Sequence, residues 1–314
     1  MSNSDHISSS INPLTDFGRA LALATEMRDS TFETNISRWP ENYRANQAYS
    51  DLLRKEISQK AGVIIAGAGK QNNLDSYKPQ IANWFRAGVH WTNFNPDIDI
   101  TAVISTHIAP LEATLYSECV PDHLIHGVYS KVPPCLSRSC TVRWSDPFMN
   151  KSFAGKPTAQ DLDALMEKMS TGAAPYLPSV RNTIFLSAMV SLWLGARHIV
   201  FTGVDPLTPD YFFTGNPDLT LRIVKCVAAV NPWLAEWDGR NERIGVIKRD
   251  TAHRVQVFIQ NLLMQRSAVG GKKYLHEFDR GFILLRQLAE IRGVQLGYIG
   301  ESKYMETTEI PRLA

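Results

Sequence analysis

The chain has 314 residues, 44% hydrophobic and 20% charged, a balance that excludes a disordered polymer and suits one large α/β domain. Lysine and arginine number 33 against 31 aspartate and glutamate, for a net charge of +2, so there is no electrostatic ground for wrapping DNA or RNA. Four cysteines (Cys119, Cys135, Cys140 and Cys226) are too few for a disulfide scaffold, and no second pair joins Cys135 and Cys140 to complete a zinc site.

No basic-then-apolar leader opens the sequence, and no run is long enough to span a bilayer. A cytoplasmic protein is the expectation, with peripheral association at the inner face of the membrane left open. Residues 1 to about 12 are polar and serine-rich, and Phe17, Leu21, Leu23 and Met27 then recur at helical spacing. A second helix follows Pro40 towards Ile57.

The first strand is Val63-Ile64-Ile65-Ala66, closed by Gly67-Ala68-Gly69. A short apolar run ending in glycine is how a parallel strand covered on both faces reads. Further strands are expected at Val89–Thr92, Ile100–Ser105 and Leu124–Tyr129. Between Pro133 and Pro178 the pattern degrades to aromatics, prolines and polar residues around one helical piece, Ala159–Met169. An apolar helix then runs from Val180 to Gly195, which suits a left-handed cap, and the strand Ile199–Thr202 leads into Gly203-Val204-Asp205. Residues 206–274 are irregular, with helices expected near Leu219–Val230 and Val255–Met264. A helix Phe278–Ile291, stopped by Gly293, and a strand Val294–Ile299 end the series.

Alternation of strand and helix at this pitch predicts an α/β fold, a doubly wound, mostly parallel, Rossmann-like sheet. The division expected is an N-terminal helical extension over 1–58, a nucleotide-sugar-binding domain over 59–302 and a tail over 303–314. Inserts fall at about 133–178 and 206–274, and the first of these suits a small lid.

In such sheets ligands lie beyond the carboxyl ends of the strands. Gly67-Ala68-Gly69 lets the backbone turn sharply beside a phosphate or sugar, or is simply a tight structural turn. It is neither the complete dinucleotide fingerprint nor a Walker loop. Asn93, just past the second strand, either meets a base or sugar or forms the turn before Pro96. Ser105, Thr106 and His107 hold the equivalent place after the third strand. Asp205 holds a ribose, orients a base or caps a following turn. Tyr211 offers a phenol to a leaving phosphate. His276, read as standing just before the last helix, is a candidate general base, with His253 as its rival. Asp97-Ile98-Asp99 precedes a strand and reads as a solvent-facing turn. No metal-binding residues are assigned.

Taken together, Val63–Gly69, Asn93, Arg181-Asn182-Thr183, Leu194–Asp205 and the stretch from His276 to Ser302 resemble the bacterial sialyltransferases of glycosyltransferase family 42. They equally resemble a related motility-associated group that shares the nucleotide-sugar domain. That resemblance implies a parallel-sheet domain with a small lid, a CMP-sialic acid donor and inverting transfer to a hydroxyl of a glycan or other acceptor, with no cofactor required. By the same resemblance Gly67, Gly69, Asn93, Asn182 and Thr183 hold the donor, Tyr211 helps the phosphate leave and His276 is the general base. Three other readings stay open: a pyrophosphokinase-like or other nucleotide-dependent transferase, a non-catalytic nucleotide-binding protein and, last, an NAD-dependent oxidoreductase.

Overall fold

The computed structural model describes residues 40–70, 77–106, 111, 114, 117, 120–129, 139–145, 160, 176–178, 182–207, 211–213, 216, 218–219, 222–223 and 272–313. Eight strands form a single sheet: β1 Val63–Ala66, β2 Phe85–Val89, β3 Ala102–Ser105, β4 His123–Tyr129, β5 Ser139–Ser145, β6 Tyr176–Pro178, β7 His198–Thr202 and β8 Gln295–Tyr298. Their order is β6-β5-β4-β3-β2-β1-β7-β8, and every neighbouring pair is parallel. The chain builds outwards from β1 to β6, then returns to lay β7 against the other side of β1. The direction of winding therefore reverses between β1 and β7.

Both faces of the sheet are covered, which is why β1 reads as an unbroken apolar run. Val63 and Ile65 face one layer, built from α1 (Pro40–Ser58), α3 (Thr183–Trp193) and α4 (Lys272–Arg292), together with Tyr304, Met305 and Ile310. Ile64 and Ala66 face the other layer, with Ile81 from the short α2 (Lys78–Ile81), Phe94, Ile98, Leu111, Leu219 and Ile223. The fold is the doubly wound, Rossmann-like α/β architecture expected, with an N-terminal helix and small insertions. No helix among the described residues is long and apolar enough to cross a membrane.

In α3 every residue from Ile184 to Trp193 is buried. Asn182 caps its start by accepting from the Ile184 amide at 2.8 Å. The hydroxyls of Ser187 and Ser191 donate one turn back, to the carbonyls of Thr183 and Ser187, so a helix sunk in the core leaves neither hydroxyl stranded. Gly195 and Gly293, with φ of +89° and +64°, end α3 and α4 in the left-handed conformation that glycine adopts without strain.

Three expectations are corrected. The second strand spans Phe85–Val89, not Val89–Thr92. Gly88 looked like a boundary but lies within the strand, where a side chain would meet Thr92 Cβ at 3.0 Å and Ile100 Cγ2 at 3.2 Å. The stretch 133–178, expected to be a lid, contributes β5 and β6 to the main sheet. Its Ser-Cys-Thr-Val-Arg-Trp-Ser strand has no continuous apolar run to announce it. The last helix starts at Lys272, directly after Gly270-Gly271, so His276 lies on its second turn and not in a loop before it. The helices expected at 15–27 and 255–264 lie outside the described residues, as do Ala159–Met169 and Leu219–Val230 except for a few positions.

Residues 303–313, set apart by sequence as a tail, pack on the sheet. The Tyr298 amide donates to Pro311 O at 3.0 Å and the Leu313 amide to Tyr298 O at 2.9 Å. The segment so covers the outer edge of β8, an edge that otherwise offers unpaired backbone groups.

Candidate functional site

The carboxyl ends of β1 and β7 meet at the reversal of winding, where folds of this type hold their ligands. Gly67 and Gly69 donate their amides to Thr202 O at 2.8 Å and Gly203 O at 3.1 Å. A side chain at either position would collide with the Gly203 carbonyl, at 2.6 Å in the case of Gly69. The two glycines thus allow one backbone turn to lie directly on another. Their amides are engaged with protein carbonyls, so the turn is not a cradle of free N–H groups at these two positions.

The far side of the turn is paired as well. Phe212 donates its amide to Ala68 O at 3.1 Å, and Gly69 forms an antiparallel bridge with Tyr211. The Tyr211 ring stacks on Phe213 at 5.2 Å and 7°, and Phe212 meets Phe213 edge-on. The backbone at Tyr211 is therefore held beside the glycine turn although 142 positions separate Tyr211 from Gly69 in the chain.

Asp205 caps turns. Its Oδ1 accepts from the Leu207 amide at 3.0 Å and its Oδ2 from the Lys303 amide at 3.2 Å. Ser302 reinforces the junction by donating to Val204 O at 2.7 Å. Of the readings offered by sequence, ribose ligand, base contact or turn cap, these two hydrogen bonds are those of a turn cap.

The ends of β2 and β3 form the adjoining wall. Thr92 donates to Val89 O at 2.6 Å and lies 3.2 Å from Ala66 O, tying this wall to β1. Asn93, 6% exposed, donates from Nδ2 to Ser117 Oγ at 3.2 Å, and Ser117 passes its own hydrogen to Thr114 O at 2.6 Å. That chain of donors fixes the amide's orientation and leaves Asn93 Oδ1 a buried acceptor without a hydrogen bond among the described residues. Asn95 is held by Asp97, whose amide donates to its Oδ1, while its Nδ2 is a buried donor without a partner among the described residues. Thr106 stands half-buried at the end of β3. Asp97 and Asp99 are exposed, and Asp99 pairs with Arg86 at 2.8 Å.

Sequence reasoning passed over His90. It follows the last residue of β2 directly, with φ +51°, a conformation uncommon for a residue with a side chain. Its Nδ1 lies 2.9 Å from Ser105 Oγ and its Nε2 2.9 Å from Thr183 Oγ1. One imidazole so links the ends of β2 and β3 to the first turn of α3, beside the capping Asn182. The available signal was a polar residue breaking the apolar run Gly88-Val89, just ahead of Asn93.

Gly67, Ala68, Gly69, Tyr211 and Asp205 thus gather around the β1/β7 junction. Asn93, Thr106, Asn182 and Thr183 lie on the neighbouring strand ends and at the head of α3. His276 is carried by α4, and its side chain falls outside the described set, as do His107 and His253. Among the described residues, no group of three or more His, Cys, Asp or Glu gathers as a metal site.

No protein-family model, curated protein or solved structure matches this chain. What stands is the architecture, a Rossmann-like nucleotide-binding fold consistent with a nucleotide-dependent enzyme.

Proposed function

We propose that the chain is an inverting glycosyltransferase, moving a sialic-acid-like sugar from a CMP-activated donor to a hydroxyl acceptor such as a glycan. The reading is supported above all by the pairing of Tyr211 with Gly69 at the reversal of winding. A phenol carried on that backbone is within reach of a phosphate lying against the turn, where its O–H would stabilise developing negative charge. Asn93 and Thr183, on the flanking strand end and helix start, offer an acceptor and a hydroxyl to the rest of the donor. The acceptor hydroxyl would lose its proton to His276, attack the anomeric carbon and expel cytidine monophosphate. This assignment of the base comes from the sequence resemblance.

Thermal-shift titration separates this proposal from its rivals, because a ligand of the folded state raises the melting temperature. Cytidine monophosphate and its sialic acid conjugate are expected to stabilise the protein, and uridine and guanosine diphosphate sugars, ATP with Mg²⁺ and NAD are not. A shift with ATP and Mg²⁺ alone would move the assignment to a pyrophosphokinase-like transferase. His276→Ala is expected to lower turnover about 10²–10⁴-fold while leaving the shift by cytidine monophosphate in place. Full turnover in that variant rules out His276 as the base.

A further inference from the structure

We propose that His90 is a positioning residue of this site, setting the direction in which the Thr183 hydroxyl presents its hydrogen to bound nucleotide. The inference rests on the nucleotide-transferase reading above. A neutral imidazole has one donor nitrogen and one acceptor nitrogen. Ser105 Oγ and Thr183 Oγ1, each 2.9 Å from the ring, must therefore play opposite parts. With the proton on Nε2, Thr183 accepts from the ring, and its own hydrogen is free to turn towards a ligand oxygen. With the proton on Nδ1, Thr183 donates to Nε2 and offers a ligand only lone pairs. The bound state is the first of these, with Ser105 donating to Nδ1.

Three observations single out this histidine. Ser105 is fully buried, which keeps its hydroxyl beside the ring. The His90 amide donates to Ile104 O at 3.2 Å, which pins the backbone of the turn to β3. The left-handed conformation of a side-chain-bearing residue is an unfavourable arrangement of the kind that concentrates at functional positions. Glycine adopts that conformation without steric penalty, and asparagine tolerates it at least as well as histidine. His90→Asn and His90→Gly therefore remove the imidazole without adding backbone strain.

The test combines calorimetric binding of cytidine monophosphate with ¹⁵N resonances of the His90 ring. Wild type, His90→Asn, His90→Gly, Thr183→Val, Thr183→Ser and the His90→Asn/Thr183→Val double variant are compared. Loss of one hydrogen bond predicts about two- to tenfold weaker binding in His90→Asn, His90→Gly and Thr183→Val. The double variant should lose no more than either single change, because both remove the same contact. Thr183→Ser, which keeps the hydroxyl, should bind within about twofold of wild type. The ring resonances of the complex should show the Nε2-protonated tautomer. Loss of the ring's contacts to Ser105 and Thr183 is expected to lower the melting temperatures of the His90 variants, so binding is measured well below them. Wild-type affinity in both His90 variants, additive losses in the double variant or an Nδ1-protonated ring in the complex would each overturn the assignment of His90 alone. Failure of wild type to bind cytidine monophosphate would instead overturn the underlying reading, and the proposal with it.

Discussion

At Gly69 a methyl group would stand 2.6 Å from the carbonyl oxygen of Gly203, a backbone atom that cannot rotate aside. Gly69→Ala is therefore expected to destabilise the fold by about 1–3 kcal/mol, the usual range for overpacking a tight site. Urea denaturation reads this directly, and an unchanged midpoint would mean that the two turns are free to separate. The turn itself was legible, since an apolar run stopped by glycine has a local cause. Its reason was not, because the colliding carbonyl belongs to a residue 134 positions away. Asp205 was legible in the same partial way: the acid at a strand end stood out, while the Lys303 amide that occupies its Oδ2 had no local signature. His90 gave less still, because its two hydroxyl partners come from β3 and α3.

Among the elements, α1 is joined to the sheet by a buried histidine. His123 opens β4 at 8% exposure and stacks on Phe85 with ring centroids 6.0 Å apart. Its Nε2 meets Glu56 Oε2 at 2.8 Å and its Nδ1 meets the Tyr49 hydroxyl at 2.6 Å. An ionised carboxylate only accepts, so Nε2 carries a hydrogen, and with the ring neutral Tyr49 donates to Nδ1. His123→Phe keeps an aromatic ring against Phe85 but removes the hydrogen bonds to Glu56 and Tyr49, at a cost of about 1–3 kcal/mol. Hydrogen exchange is expected to quicken along α1 while α3 stays protected; equal quickening in both would show that α1 does not open on its own. Each of these elements was legible separately from periodicity, but the contact between them joins residues 67 and 74 positions apart. The strands β5 and β6 were missed for a related reason. They owe their existence to pairing with β4, while their own composition suggested a loop.

Across the whole molecule, the segment after β8 is bound to α4 as well as to the sheet. Tyr304, 2% exposed, donates its hydroxyl to Asp279 Oδ1 at 3.0 Å, and Arg286 pairs with Glu309 nearby. Burial first, and then the charge and hydrogen bond of Asp279, hold the phenol well above the ordinary tyrosine value of 10.0. The folded state thus keeps this proton more tightly than the unfolded chain does. The resulting stability is intact below about pH 10 and is lost as pH rises from there towards the folded-state value. Tyr304→Phe should be less stable than wild type by about 1 kcal/mol at pH 7, from loss of one hydrogen bond. The two melting temperatures should then converge above pH 10, and parallel curves up to pH 11 would contradict the linkage.

The position of β1 also constrains how the molecule is made. Its first partner, β2, follows it closely in sequence, but its second, β7, does not begin until His198. A nascent chain that stops before His198 carries an interior strand of its own sheet as a bare edge, apolar on both faces and ready to pair with another strand. Stalled or truncated products of this protein are therefore expected to self-associate through β1.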